Sequence, residues 1–197
     1  LSGGVESVLY KGRGGGCIPA AEGRVLAGIG PVSGSVFADI DNDGDADLYG
    51  TNVRTGNKLF LNDGRAKFTD ISNGSGLAHK GHSSSAVFFD YDRDGLLDLF
   101  LCNVGQYTHE TLRDVQGDQT DSDREEARDG KAFRFYNGMT DAFAGHLHTA
   151  RTERSRLFRN QGGGRFVDVT EATGLIDESW TGAARPNDAH DDGWTEL

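Results

Sequence analysis

One stretch of this chain occurs twice, and a third time in altered form. Ala38-Asp39-Ile40-Asp41-Asn42-Asp43-Gly44-Asp45-Ala46-Asp47-Leu48 returns 51 residues on as Phe89-Asp90-Tyr91-Asp92-Arg93-Asp94-Gly95-Leu96-Leu97-Asp98-Leu99. The altered copy, Asp188-Ala189-His190-Asp191-Asp192-Gly193-Trp194-Thr195-Glu196-Leu197, stands 98 residues beyond the second. A different motif keeps the same step. Lys58-Leu59-Phe60-Leu61-Asn62-Asp63-Gly64, with Lys67-Phe68-Thr69-Asp70-Ile71, recurs 98 residues later as Arg156-Leu157-Phe158-Arg159-Asn160-Gln161-Gly162, with Arg165-Phe166-Val167-Asp168-Val169. Two unrelated motifs held in one register define a structural repeat. A unit is about 51 residues, and the second carries 47 more, inserted between Asn103 and Ser155 where neither flanking motif is disturbed. Without the insertion, the 197 residues reduce to 150, close to three units.

Each unit reads as β structure. Val36, Ala38 and Ile40 alternate toward one face before the acidic stretch, and Leu48 resumes a strand after it. Asn62-Asp63-Gly64 sits between two strand-like runs, a strong hairpin signal, and Gln161-Gly162-Gly163-Gly164 turns the second hairpin. The 29 glycines against 3 prolines suit tight turns between short strands and argue against a helical bundle. Four short strands in a unit of this length make a propeller blade. The expected fold is therefore all-β, a partial β-propeller of about three four-stranded blades with one long inserted loop. Residues 1–34 read as the remnant of a preceding blade, with strand-like Val5–Tyr10 and Val25–Ile29 around a glycine-rich loop, Gly12–Gly16. Residues 35–85 form repeat 1, 86–182 repeat 2 with its insertion at about 103–155, and 183–197 the start of repeat 3. Propellers close with four to eight blades, so three units are expected to form only part of a ring.

The acidic stretches carry the chemistry. Asp39, Asp41, Asp43 and Asp47 hold positions 1, 3, 5 and 9 of a nine-residue loop. Gly44 at position 6 permits a sharp turn, and the carbonyl of Asp45 at position 7 adds an oxygen. Asp90, Asp92, Asp94, Asp98 and the Leu96 carbonyl repeat the set. Calcium takes six to eight hard oxygen ligands, whereas four crowded carboxylates without a cation repel one another. A solvated acidic turn is the plain alternative, and the duplication favours calcium. An EF-hand needs Glu at position 12 and helices on both sides; Gly50 and Leu101 stand there, flanked by strands. The third loop offers Asp188, His190, Asp192, the Trp194 carbonyl and Glu196. Its imidazole is a soft donor for calcium, which leaves calcium, another metal or no ion open at that loop.

Asp-x-Asp-x-Asp-Gly-x-x-Asp-Leu within a β unit resembles the FG-GAP/VCBS repeat of integrin α-subunit propellers and of many secreted bacterial proteins. The Leu-Phe-x-Asn-x-Gly hairpin followed by Phe-x-Asp-[Ile/Val] resembles bacterial FG-GAP-like proteins of the ASPIC/UnbV type, related to cartilage acidic proteins. These motifs cover about residues 35–102 and 155–197. The resemblance implies a seven-bladed, calcium-stabilised propeller, extracellular or periplasmic, whose usual role is interaction with a protein or glycan. The ASPIC/UnbV domain itself is not legible here.

Other features sort the remaining function classes. A net charge of −11 without a basic stripe argues against nucleic-acid partners, and no apolar run has the length of a membrane span. Ser83-Ser84-Ser85 lacks a nucleophile elbow. In the insertion, His146 and His148 are spaced to share one strand face and hold a second metal, with His109 or Asp141 completing it; plain loop histidines are the alternative. The polar run 118–128 suggests a short solvated helix or loop. Tyr107, Phe133, Phe135, Tyr136, Met139 and Phe143 suit a small core, or else a sugar-stacking surface. His79 and His82 are placed to support the backbone ahead of the second loop. Cys17 and Cys102 either pair or stay free. The leading expectation is a non-catalytic interaction module, completed by neighbouring copies or a further partner. The alternatives are a carbohydrate-active or other metal-dependent enzyme sited in the insertion, and a scaffold for a catalytic domain elsewhere.

Overall fold

The computed structural model describes residues 10–13, 16–19, 32–53, 55–105, 108–109, 124–128, 131–135, 152–176 and 179–197. In chain order the strands are β1 (Tyr10–Arg13), β2 (Gly16–Pro19), β3 (Val32–Ala38), β4 (Asp47–Asn52), β5 (Lys58–Asn62), β6 (Phe68–Asp70) and β7 (Ser83–Phe89). They continue as β8 (Asp98–Asn103), β9 (Thr108–His109), β10 (Arg124–Arg128), β11 (Lys131–Phe135), β12 (Arg156–Asn160) and β13 (Phe166–Asp168). A short turn, α1 (Ser72–Ser75), with non-helical backbone at Asn73 and Gly74, follows β6.

Two four-stranded antiparallel sheets carry the repeat, ordered β3-β4-β5-β6 and β7-β8-β12-β13. Their registers coincide. Ala38 faces Asp47 as Phe89 faces Asp98, Gly50 faces Lys58 as Leu101 faces Arg156, and Asn62 faces Phe68 as Asn160 faces Phe166. The pairing of β8 with β12 places the insertion between the second and third strands of the second blade. β4 and β8 are buried along their whole length, as central strands must be when both faces are covered. β3 alternates half-buried and exposed residues.

The two blades pack face to face. Their shared core joins Ile40, Tyr49, Leu59 and Leu77 of the first unit to Leu99, Leu101, Phe158 and Phe166 of the second. Phe88 sits between them, edge-on to Tyr49 at 6.2 Å and tilted against Phe166 at 6.3 Å. The outer face of blade 1 gathers Leu48, Phe60 and Phe68. That of blade 2 gathers Phe89, Phe100, Cys102 and Leu157, with Val169, Leu175 and Ala184 of the returning chain packed on it. Cys102 is a free buried thiol, so the alternative of a bridge to Cys17 is not taken up.

Three local expectations change. Residues 124–128, read as helix or loop, form β10, which pairs with β11 in a small sheet ordered β10-β11-β9. Pairing of Arg128 with Lys131 leaves two residues between the strands, and these are Asp129-Gly130, the favoured hairpin dipeptide. Cross-strand pairing outweighs the helix preference of Arg-Glu-Glu-Ala-Arg, a run of good helix formers. Gly12, Arg13 and Gly16, read as loop, belong to the β1–β2 hairpin. The third copy supplies one isolated bridge, Asn187 to Glu196, in place of the full strand pair seen twice before it.

Candidate metal centres in the acidic loops

The β3–β4 and β7–β8 connections fold alike because the same side chains hold the same backbone amides. In the first, Asp39 accepts the N–H groups of Asp43 (3.1 Å) and Gly44 (3.0 Å), and Asp43 accepts that of Asp45 (2.9 Å). In the second, Asp90 accepts from Asp94 (3.1 Å) and Gly95 (2.9 Å), and Asp94 from Leu96 (2.8 Å). Gly44 and Gly95 lie at φ 92 and 88. A Cβ at either would meet nothing within 4 Å, so glycine is required by the backbone angle rather than by space.

Position 9 is a latch. Asp47 accepts the Ile40 amide at 3.0 Å and, from the neighbouring β5, the Asn62 amide at 2.8 Å. Asp98 does the same with Tyr91 (3.0 Å) and Asn160 of β12 (2.8 Å). Both latches are buried, at 1% and 0% exposure. The latch takes the backbone amides of the hairpin asparagines, and their side chains reach the same loops, Asn62 Nδ2 donating to the Ala46 carbonyl at 3.1 Å and Asn160 Nδ2 to the Leu97 carbonyl at 3.0 Å, which the sequence motif alone did not disclose.

The carboxylates gather in different sets in the two loops. Ligand oxygens of Asp39, Asp41 and Asp43 lie within 4.8 Å of one another, as do those of Asp90, Asp92 and Asp98. Asp94, predicted as a ligand with them, stands outside the second group, and Asp47 outside the first. At position 3 of both loops one oxygen, Asp41 Oδ1 and Asp92 Oδ1, is buried with no hydrogen-bond partner. Burial lifts the Asp41 carboxyl above its ordinary range, and the Asp43 charge adds to this. Burial likewise raises Asp47 against the opposing Asn62 and Ile40 amides, and pushes Asp98 to about 6. Carboxylates held close together, with an unpartnered buried oxygen in each group, favour a cation among them. Calcium fits this donor set: hard oxygens only, converging from a tight loop.

The third loop keeps the conformation. Asp188 accepts from Asp192 (3.1 Å) and Gly193 (2.8 Å), Asp192 from Trp194 (2.9 Å), and Glu196 takes the latch role with the Ala189 amide (2.7 Å). Glu196 also binds His190 Nδ1 at 2.9 Å, and this bond holds its carboxyl below the usual range. The loop is exposed, and it contributes no close group of three ligands among the described residues.

His79 and His82 do not support the acidic loop. They grip Glu153 at the foot of the insertion. Nε2 of His79 meets Oε1 at 3.1 Å, while the backbone N–H and Nδ1 of His82 meet Oε2 at 2.6 and 3.3 Å. Burial alone would raise the Glu153 carboxyl, but these bonds outweigh it and bring it down to about 2. A Cβ on Gly81 would fall 1.8 Å from Oε1, so only glycine admits the carboxylate there. This cluster lies at the strand ends away from the acidic loops. A buried relay accompanies it: Asn57 Nδ2 donates to Ser83 Oγ, Ser83 Oγ to Asn103 Oδ1, and Asn103 Nδ2 to the Arg154 carbonyl. His146, His148, Asp141, Tyr107, Tyr136, Met139 and Phe143 lie outside the described residues. His109 is placed only as backbone in β9, opposite Arg134.

Residues 39–101 match the family of FG-GAP-like repeats. The match runs from the first residue of one acidic loop, through the β5–β6 hairpin, to the strand that leaves the next. No curated protein matches the chain. No helix among the described residues is long and apolar enough to cross a membrane.

Proposed function

We propose that this chain is a calcium-binding, non-catalytic β-propeller module that acts outside the cytoplasm by presenting its loops to a protein or glycan. The observation that carries calcium is the buried, unpartnered oxygen at position 3 of both loops, Asp41 Oδ1 and Asp92 Oδ1, each beside two more carboxylates. An unmade bond to a buried carboxylate oxygen costs folding free energy. A divalent cation satisfies it in both loops at once. Asp39, Asp41 and Asp43 would hold one ion with the Asp45 carbonyl. Asp90, Asp92, Asp94 and Asp98 would hold the other with the Leu96 carbonyl. The third loop is a weaker site of the same kind, since His190 occupies position 3.

The FG-GAP-like match favours an interaction role and an extracellular or periplasmic setting, where calcium at about 10⁻⁴–10⁻³ M suits modules of this affinity. The hairpin asparagines favour the ASPIC/UnbV type among such proteins. Two described four-stranded blades, against the four to eight of a closed propeller, favour completion of the ring by further blades or neighbouring copies. Equilibrium dialysis against millimolar calcium tests the reading, with at least two ions expected per chain and one fewer in Asp92→Ala. Uptake indistinguishable from a buffer blank would end it.

A further inference from the structure

The two acidic loops are joined to each other as well as to their own strands. Asn42, between the ligands Asp41 and Asp43, donates from Nδ2 to the Gly95 carbonyl of the second loop at 3.0 Å. Asn160, fully buried, donates from Nδ2 to the Ile40 carbonyl of the first loop at 2.8 Å and to the Leu97 carbonyl of the second at 3.0 Å. Its own backbone amide holds the Asp98 latch. One asparagine therefore touches both loops, and a second reaches from the middle of one to the turn glycine of the next. The pattern continues: Arg93, equivalent in position to Asn42, lies over the Trp194 ring of the third loop at 4.9 Å. Asn42, Arg93 and Asp191 share φ near 60, the left-handed conformation that points position 4 out of its own loop.

We infer that Asn42 and Asn160 couple cation binding at the two loops, so that an ion in the second raises the affinity of the first. This rests on the calcium reading above. An ion held by Asp90, Asp92, Asp94 and Asp98 with the Leu96 carbonyl fixes the turn containing Gly95 and Leu97. The Gly95 carbonyl then holds the Asn42 side chain, and the Asn160 amide, anchored on the Leu97 carbonyl, holds the Ile40 carbonyl, so that the backbone on either side of Asp41 is set in the ligand geometry before the first loop fills. The ordering cost of the first loop is already partly met, which is positive coupling. Coulomb forces act the other way, because filling one loop removes negative charge that attracts the second ion. That opposing part fades with salt, whereas the hydrogen-bonded links do not.

Calcium isotherms at about 0.15 M salt decide the matter, measured by calorimetry in an Asp188→Ala background that disables the third loop. Asp92→Ala, which empties the second loop, is expected to weaken calcium at the first about 5-fold or more, within the usual range of coupling. In Asn42→Gly, which keeps the left-handed backbone and removes the amide, the same Asp92→Ala change is expected to weaken the first loop far less. Equal weakening with and without Asn42 would overturn the link through Asn42. No weakening in either, with calcium still bound, would overturn the coupling while leaving the calcium reading intact. No calcium uptake by the unmutated loops would overturn both.

Discussion

At the scale of single residues, one loop holds two kinds of carboxylate. Asp98 accepts the Tyr91 and Asn160 amides on its two oxygens and so latches the loop as well as standing in the second ligand group, whereas Asp92 keeps a buried oxygen without a partner. Replacing them should therefore fail differently. In chelator, Asp98→Ala abandons two amides and is expected to cost about 2–6 kcal/mol, at roughly 1–3 for each buried group left unpaired. Asp92→Ala in chelator removes an unsatisfied group and should cost far less. In calcium, Asp92→Ala should lose the stabilisation that the ion gives the parent chain. Urea midpoints in both media separate the roles, and equal losses for the two variants in chelator would contradict the division. Glu153 gives a pH signature at the other strand end. Its carboxyl lies near 2 when folded, against an ordinary value of about 4.3. The stability it supplies is full above the unfolded value and is lost as pH falls from there toward 2. Glu153→Gln should flatten that part of the acid limb, read as the parent-minus-variant difference in urea midpoint against pH. A difference that does not change between pH 5 and 2 would contradict the His79–Glu153–His82 clamp.

At the scale of elements, close backbone approach sets the packing of one blade on the next. Gly76 has φ 86, and a Cβ there would lie 2.2 Å from the Phe166 carbonyl oxygen of β13. Gly162 has φ 77 and would meet nothing within 4 Å. Alanine at Gly162 should cost only left-handed strain, about 1–2 kcal/mol. Alanine at Gly76 should cost clearly more, because a neighbouring strand must also move. Equal losses in denaturant would show that the α1 turn does not press on β13. Much at this scale was legible in the sequence, and the reason is repetition. The loops, both hairpins and the site of the insertion each follow from a motif found at a fixed offset, and local chemistry such as Asp63-Gly64 decides each turn. What was not legible depends on contacts far apart in the chain. Glu153 meets residues 71 and 74 positions away, and Asn160 reaches Ile40 across 120. No spacing rule announces such pairs. The β10–β11 hairpin is a different case, because Asp129-Gly130 was present as a turn signal beside residues whose helix preference points the other way.

At the scale of the molecule, the acidic loops and the hairpin turns share one end of the strands, while the insertion leaves from the other beside Glu153 and Asn103. The acidic-loop end thus braces neighbouring blades through Asn42 and Asn160, and the opposite end is free to vary without disturbing it. If the cations are part of this framework, they bind the folded chain and not the unfolded one, and stability must follow their concentration by linkage. The thermal midpoint in excess chelator, followed by titration with calcium, tests this most directly. The midpoint is expected to be lowest in chelator and to climb progressively with calcium, and a free concentration 100 times the dissociation constant should add about 2.7 kcal/mol for each filled loop. A midpoint identical in chelator and in millimolar calcium would contradict the account.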